Sequence, residues 1–227
     1  MSRLNGPVVA IDGTAGTGKS SVGRAVAQQL GYGFLSTGAM YRALAYEVYA
    51  ARVNPTDEQA VLQVAKNLQF RFERQSDATL KMFVDGEYLG NKLTLDEVAQ
   101  TASKVSTHAS ARAVLTEKMR QVGRDGGIIL EGRDIGTVVF PDAEVKIYLT
   151  AAPQVRAQRR VKQLLAQGAP ADYEQILASI KDRDQRDMTR TTAPLKPAAD
   201  AVQIDTSAMN MPQVIAAVVK EINKYAA

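Results

Sequence analysis

Residues 7–31 confine the chain to a narrow set of folds. Pro7-Val8-Val9-Ala10-Ile11-Asp12 is a short apolar run of the kind buried on both faces of a sheet. The stretch Gly13-Thr14-Ala15-Gly16-Thr17-Gly18-Lys19-Ser20 follows at once, and Val22, Val26, Ala27 and Leu30 then recur at helical spacing before Gly31. Strand, glycine-rich turn and helix in this order are the context in which G-x-x-x-x-G-K-[ST] forms a phosphate-binding loop. Glycines let the backbone turn tightly and aim successive N–H groups at phosphate oxygens, and the helix N-terminus adds the positive end of its dipole. A nucleoside triphosphate, ATP or GTP, is therefore expected along Gly13, Thr14, Ala15, Gly16, Thr17, Gly18, Lys19, Ser20 and Ser21. Lys19 would reach the β and γ phosphates, and Ser20 offers a hydroxyl to Mg²⁺.

The rest of the chain keeps alternating strand with helix. Gly33-Phe34-Leu35-Ser36 reads as a second strand, residues 40–52 as a helix, and Pro55-Thr56-Asp57-Glu58 as the turn into another. In the middle the period changes to two, over 68–73 and 80–84, with Asp85-Gly86 as a hairpin turn before Glu87-Tyr88-Leu89. Residues 67–92 are thus expected to form a small antiparallel insertion. Thr94-Leu95-Asp96-Glu97-Val98 opens a helix in the manner of a capping box, and 111–122 continues helical until Gly126-Gly127. Interior-type strands return at 128–131 and 145–149, and a further strand at 201–205, which suits a parallel sheet. Arg-rich helices lie between the last two and divide near Gly168-Ala169-Pro170. Val214, Ile215, Val218, Val219 and Ile222 then mark a closing helix with one apolar stripe. The expected fold is α/β: one domain over residues 1–227, a parallel sheet flanked by helices, and the antiparallel insertion.

Which chemistry is left open follows from what is missing. With no cysteine and a single histidine, there is no disulfide framework, no Cys-ligated zinc, no thiol nucleophile and no site of several imidazoles. The 28 Lys and Arg exceed the 24 Asp and Glu by only four, too small a surplus to demand a nucleic-acid partner. No run nears the ~18 consecutive apolar residues of a membrane span, and residues 1–6 lack the apolar run of a signal peptide. The expectation is a cytoplasmic monomer with neither membrane nor nucleic acid as partner. The remaining repertoire, Lys, Arg, Ser, Thr, Asp and Glu, suits phosphate handling.

A phosphate loop alone does not name a reaction. A GTPase would need N-K-x-D, and Asn91-Lys92-Leu93-Thr94 ends in Thr where the carboxylate belongs. Glu131, at the end of its strand, stands where a carboxylate could orient hydrated Mg²⁺; a solvated strand-end Glu is the alternative. Three regions offer guanidinium groups: Arg42; Arg133, between Gly132 and Asp134; and Arg183 and Arg190, which with Asp187 fall at i, i+7 and i+4 of one helix face. Such forks suit an acceptor carrying its own phosphate, because Arg binds phosphate oxygens bidentately.

Four segments together resemble the bacterial cytidylate kinases, and the resemblance covers almost the whole length. They are the phosphate loop; Thr37-Gly38-Ala39-Met40-Tyr41-Arg42; Gly132-Arg133-Asp134-Ile135-Gly136-Thr137-Val138-Val139-Phe140-Pro141-Asp142-Ala143; and Arg183-Asp184-Gln185-Arg186-Asp187 with Arg190 and Ala193-Pro194-Leu195. The resemblance implies transfer of a phosphoryl group from ATP to CMP or dCMP with Mg²⁺. It also implies a nucleoside monophosphate-binding region over about 37–110 and a helical lid over about 153–172. Carried over residue by residue, it assigns the acceptor to Thr37, Tyr41, Arg42, Ser103, Arg112, Arg133, Asp134, Arg183, Asp187 and Arg190, with Arg183 and Asp187 at the ribose hydroxyls. It places a lid arginine at Arg159, whereas Arg156 and Arg160 read equally well as a charged helix face. Relatives often carry Lys-Gly-Thr where this chain has Lys19-Ser20-Ser21, so their metal does not depend on a hydroxyl at Ser20. Lys19, Arg133, Arg159 and Arg190 are the expected catalytic set.

Overall fold

The computed structural model describes residues 3–225. Its centre is a parallel five-stranded sheet in the order β2-β6-β1-β7-β8, formed by β1 (Val8–Gly13), β2 (Gly33–Ser36), β6 (Ile128–Glu131), β7 (Val145–Thr150) and β8 (Val202–Asp205). β1 is buried on both faces throughout. Val8 and Ala10 point into one apolar layer with Leu35, Leu130 and Leu115; Val9 and Ile11 point into another with Val22, Val26, Val218 and Ile222. The period-2 alternation of side chains explains why one uninterrupted apolar run serves both layers.

Helices α1 (Lys19–Leu30) and α8 (Met211–Ile222) cover one face. The other is covered by α2 (Thr37–Ala50), α3 (Glu58–Asn67), α4 (Asp96–Val105) and α5 (Ala109–Gly123). The expected insertion is present as β3 (Phe70–Arg74), β4 (Leu80–Val84) and β5 (Glu87–Tyr88), an antiparallel sheet of three strands. It docks on the exposed edge of β2, where the Phe34 amide donates to the Ala78 carbonyl at 3.1 Å. That contact covers an edge otherwise open to strand pairing. The Arg-rich region folds into α6 (Pro153–Ala166) and α7 (Tyr173–Thr189), packed on each other.

Three local expectations change. α2 begins at Thr37, directly after the strand, rather than at residue 40. The Thr94 capping box does not form: residues Gly90–Thr94 make a 3₁₀ turn, Thr94 Oγ1 donates to the Asn91 carbonyl, and Leu95 caps α4 without a side-chain bond. Asp96 and Glu97 still favour the N-terminal end of the α4 dipole. α7 ends at Thr189, so Arg190 caps the helix in an extended conformation instead of continuing the face of Arg183 and Asp187. Among the described residues no helix is long and apolar enough to cross a membrane.

Candidate active site

The sheet's topology places the site. β1 is central, with β2 and β6 to one side and β7 and β8 to the other, so the chain reverses direction across the C-terminal end of β1. A crevice at such a switch point is where open α/β sheets bind ligands. Gly13 ends β1 at φ +144, and a Cβ there would lie 2.0 Å from the Leu149 carbonyl, so no other residue fits. Gly18 caps α1 in the left-handed conformation with no side-chain cap, which leaves the first N–H groups of the helix facing the loop. Lys19 is buried, and its Nζ donates to the Thr14 carbonyl at 2.6 Å, folding the side chain back over the loop. Burial, helped by the nearby charge of Arg133, pulls the Lys19 ammonium down to about 7.

Glu131 is not a solvated strand end but a buried junction. Its Oε1 accepts from Ser20 Oγ at 3.0 Å and from Ser36 Oγ at 2.5 Å, while its carbonyl accepts from Thr37 Oγ1 at 2.9 Å. The phosphate loop, the end of β6 and the start of α2 are thereby tied at one carboxylate. Among the described residues no cluster of three His, Cys, Asp or Glu side chains could hold a metal alone.

The acceptor side gathers most of the residues the sequence singled out. Arg133 Nε donates to Asp187 Oδ2 at 2.8 Å. Arg112 Nη2 donates to Asp134 Oδ2 at 2.6 Å, with both side chains almost fully buried, and its guanidinium stands 5.2 Å over the Tyr41 ring. Arg190 Nε donates to the Ala193 carbonyl at 2.6 Å; its Nη2 is buried without a hydrogen bond, 3.4 Å from Asp134 Oδ1. Burial pushes the Tyr41 hydroxyl up to about 12, against the lowering effect of Arg112. Arg42 forms no ion pair among the described residues, and burial lowers its pKa although Glu131 opposes the shift. Arg183, on the exposed face of α7, is lowered first by partial desolvation and then by the charge of Arg133. Cations thus outnumber the carboxylates available to pair them, an arrangement that calls for anions. Ser103 is exposed on α4, where its Oγ accepts at 3.2 Å from Arg186 Nη1, on the helix that carries Arg183 and Asp187.

The arginines of α6 differ sharply from one another. Arg156 is a buried strut: Nε donates to the Ala151 carbonyl at 2.8 Å, Nη1 to Ala15 of the phosphate loop at 3.1 Å, and Nη2 to Asp184 Oδ2 at 2.6 Å. Arg159 donates to Thr206, at 3.1 Å to Oγ1 and 2.6 Å to the carbonyl, in the turn after β8. Arg160 is the exposed member and bonds Gln163. Asp12, Ser36 and Thr206 carry contacts that no motif announced, and Asp184, inside one of the four segments, carries a contact to which the resemblance assigns no role. Asp12 had one visible signal, a carboxylate closing a run of wholly buried residues.

A sequence model described as cytidylate kinase matches residues 9–224. The chain belongs to the cytidylate kinase family. The cytidylate kinase of Citrifermentans bemidjiense is 41% identical, over 94% of this chain and 91% of its own length. That of Klebsiella pneumoniae is 42% identical over 93% and 92%. A bifunctional pantoate ligase/cytidylate kinase of Synechococcus is 44% identical over 92% of this chain, which spans 39% of that longer protein. Among solved structures, a gluconokinase from Sinorhizobium meliloti superposes with a TM-score of 0.51 at 13% identity, covering 99% of this chain and 95% of the other; at that identity the likeness concerns the fold alone. The matched residues include the phosphate loop, the antiparallel insertion and almost all of the parallel sheet.

Proposed function

We propose that the chain transfers the γ-phosphoryl group of ATP to CMP and dCMP, giving CDP, dCDP and ADP by direct in-line displacement. The convergence of the Lys19 loop with Arg42, Arg133, Arg183 and the Asp134–Arg112 pair at one sheet edge is the observation that carries this reading. An oxygen of the CMP phosphate forms the new bond to the γ-phosphorus as the bond to the β–γ bridging oxygen breaks, and the electron pair leaves with ADP. A phosphate monoester has a second pKa of about 6, so the attacking oxygen is ionised at neutral pH and needs no protein base. That fits a site without His or Cys. Rate then comes from alignment and charge neutralisation. Lys19 and the loop amides hold the donor; Arg42, Arg133 and Arg190 hold the acceptor phosphate.

Base choice follows from hydrogen-bond polarity. Cytosine presents an amino donor beside a ring-nitrogen acceptor, and uracil the reverse. Asp134 and Arg112, locked side by side, present an acceptor beside a donor. Asp134 keeps lone pairs free and Arg112 keeps N–H groups free, so each can serve the base edge while bonded to the other. Uracil would leave both groups facing their own kind. Thr37, Tyr41 and Ser103 would line the acceptor, with Arg183 and Asp187 at the ribose.

Ser20 Oγ and Glu131 Oε1 are hard oxygen donors 3.0 Å apart beside the loop, and such a pair fits Mg²⁺, Glu131 through water. Held there by Ser20 and Glu131, the ion would supply positive charge against the negative charge of the triphosphate. Residues 153–172 would act as a lid that excludes competing water, with Arg159 turned onto the phosphates from Thr206. We read the protein as a cytoplasmic monomer that takes no nucleic acid; sedimentation velocity showing a dimer would overturn the first part.

A coupled assay of ADP release over CMP, dCMP, UMP, AMP and shikimate tests the reaction. Turnover with CMP and dCMP well above the rest is expected, whereas preference for another acceptor, or none, rejects it.

A further inference from the structure

Asp12 is the last residue before the phosphate loop and is almost completely buried. Its two carboxylate oxygens are divided between two backbone donors: Oδ1 accepts from the Ile135 amide and Oδ2 from the Gly136 amide, both at 2.8 Å. These amides open the π-helical turn Ile135–Val139, immediately after Arg133 and Asp134. A third link lies beside them, the Gly132 amide donating to the Ile11 carbonyl at 3.0 Å. The loop that carries Arg133 and Asp134 is therefore held from both ends by the strand that leads into the phosphate loop. Gly136 packs beside this carboxylate: a Cβ on it would meet Asp12 Oδ2 at an ordinary 3.5 Å and crowd only the Lys146 stem, at 3.2 Å. An unpaired carboxylate in such a position would be costly, and the two amides supply what compensates it.

The geometry points to Asp12 as a positioning residue for the acceptor: its carboxylate sets where Arg133 and Asp134 stand relative to the phosphate loop. The inference rests on the reading that Arg133 meets the acceptor phosphate and Asp134 the cytosine edge. Asp12 touches neither nucleotide in this account. It acts through the turn, as the second layer of a preorganised site holds the first to within a fraction of an ångström. A displacement of about 1 Å at Asp134 is enough to cost on the order of a hundredfold.

The test is the binding of CMP alone and of ATP alone to Asp12→Asn, by titration calorimetry on the full chain. Asn keeps the size of the side chain but sets an NH₂ donor against one of the two amides, so the turn must shift. The Kd for CMP should rise about ten- to a hundredfold and that for ATP stay within about twofold, with the preference for CMP over UMP narrowing in the assay. Equal weakening of both nucleotides would make Asp12 a general structural group. Unchanged CMP binding in a protein that melts like the wild type would remove it from the site altogether. Should Asp12→Asn give no cooperative melt, Asp12→Glu keeps both acceptor oxygens but carries them one methylene further out against the same two amides, and the same split is expected. Asp134→Asn run in parallel keeps the two readings apart: a shift in CMP over UMP there, with none in Asp12→Asn, defeats only this inference; no shift in either defeats the base-reading assignment beneath it.

Discussion

Lys19 is a buried ammonium held near neutrality by its surroundings, and that makes its charge state a reporter of what binds beside it. Burial and Arg133 lower it to about 7, so the free enzyme carries it largely unprotonated at pH 8. Triphosphate oxygens favour the charged form and restore the proton. ATP binding at pH 8 should then take up close to one proton, and below about pH 6, where Lys19 is already charged and the free γ-phosphate holds part of a proton, the uptake should vanish and turn to net release. Calorimetry in buffers of different ionisation enthalpy reads this directly, and at pH 8 the γ-phosphate is fully ionised and adds nothing. No uptake at pH 8 would mean that Lys19 does not meet the phosphates. At the same scale, Asp134→Asn should narrow the ratio of kcat/KM for CMP over UMP, by about tenfold if one buried polar pairing is lost. An unchanged ratio removes Asp134 from base recognition.

The α6–α7 hairpin is fixed at its root by Arg156, which bonds Ala15 in the phosphate loop and Asp184 on the helix that also presents Arg183 and Asp187. Asp184→Ala leaves a buried guanidinium without its counter-charge, a change that costs about 3–5 kcal/mol in comparable pairs. The melting midpoint should fall accordingly, and a midpoint within a degree of wild type would show that the strut is dispensable. Motif and period made the strands, the insertion and the phosphate loop legible, because each repeats a pattern that backbone geometry imposes. Arg156 is not legible: Arg156, Arg159 and Arg160 look alike along a helix, and only the tertiary fold buries the first, turns the second onto Thr206 and leaves the third exposed. Arg190 was misplaced for a related reason. Nothing at residue 189 announces the end of α7, and the helix stops where Arg190 and Leu195 find partners in Ala193 and Asp187. The Thr94 opening failed because Thr94 is occupied by Asn91 within a tighter turn.

At the scale of the whole molecule, the net charge of +4 says little, because the cations that matter are concentrated at one sheet edge. Beyond the effect of burial, Lys19 is lowered by the charges of Arg133 and Arg183, and Arg183 by those of Arg133 and Arg42, as expected of like charges held together in a low-dielectric crevice. Such a site stores repulsion in the empty protein and relieves it when anions arrive, so stability and ligand binding should oppose each other there. Arg42 is the cleanest probe, being half-buried and without an ion pair among the described residues. Arg42→Ala should change the melting temperature of the free enzyme little, since it removes both the repulsion with Arg183 and the attraction of Glu131 and breaks no salt bridge. In the wild type, CMP at about 100 times its Kd should stabilise by about 2.7 kcal/mol, which for a chain of this size is a rise of roughly 5–10 °C. Arg42→Ala should lose most of that rise while keeping the rise produced by ATP. Thermal melts with each nucleotide separately decide the matter: a fall in the free enzyme's midpoint would make Arg42 a structural residue, and an intact CMP shift would place the acceptor phosphate elsewhere.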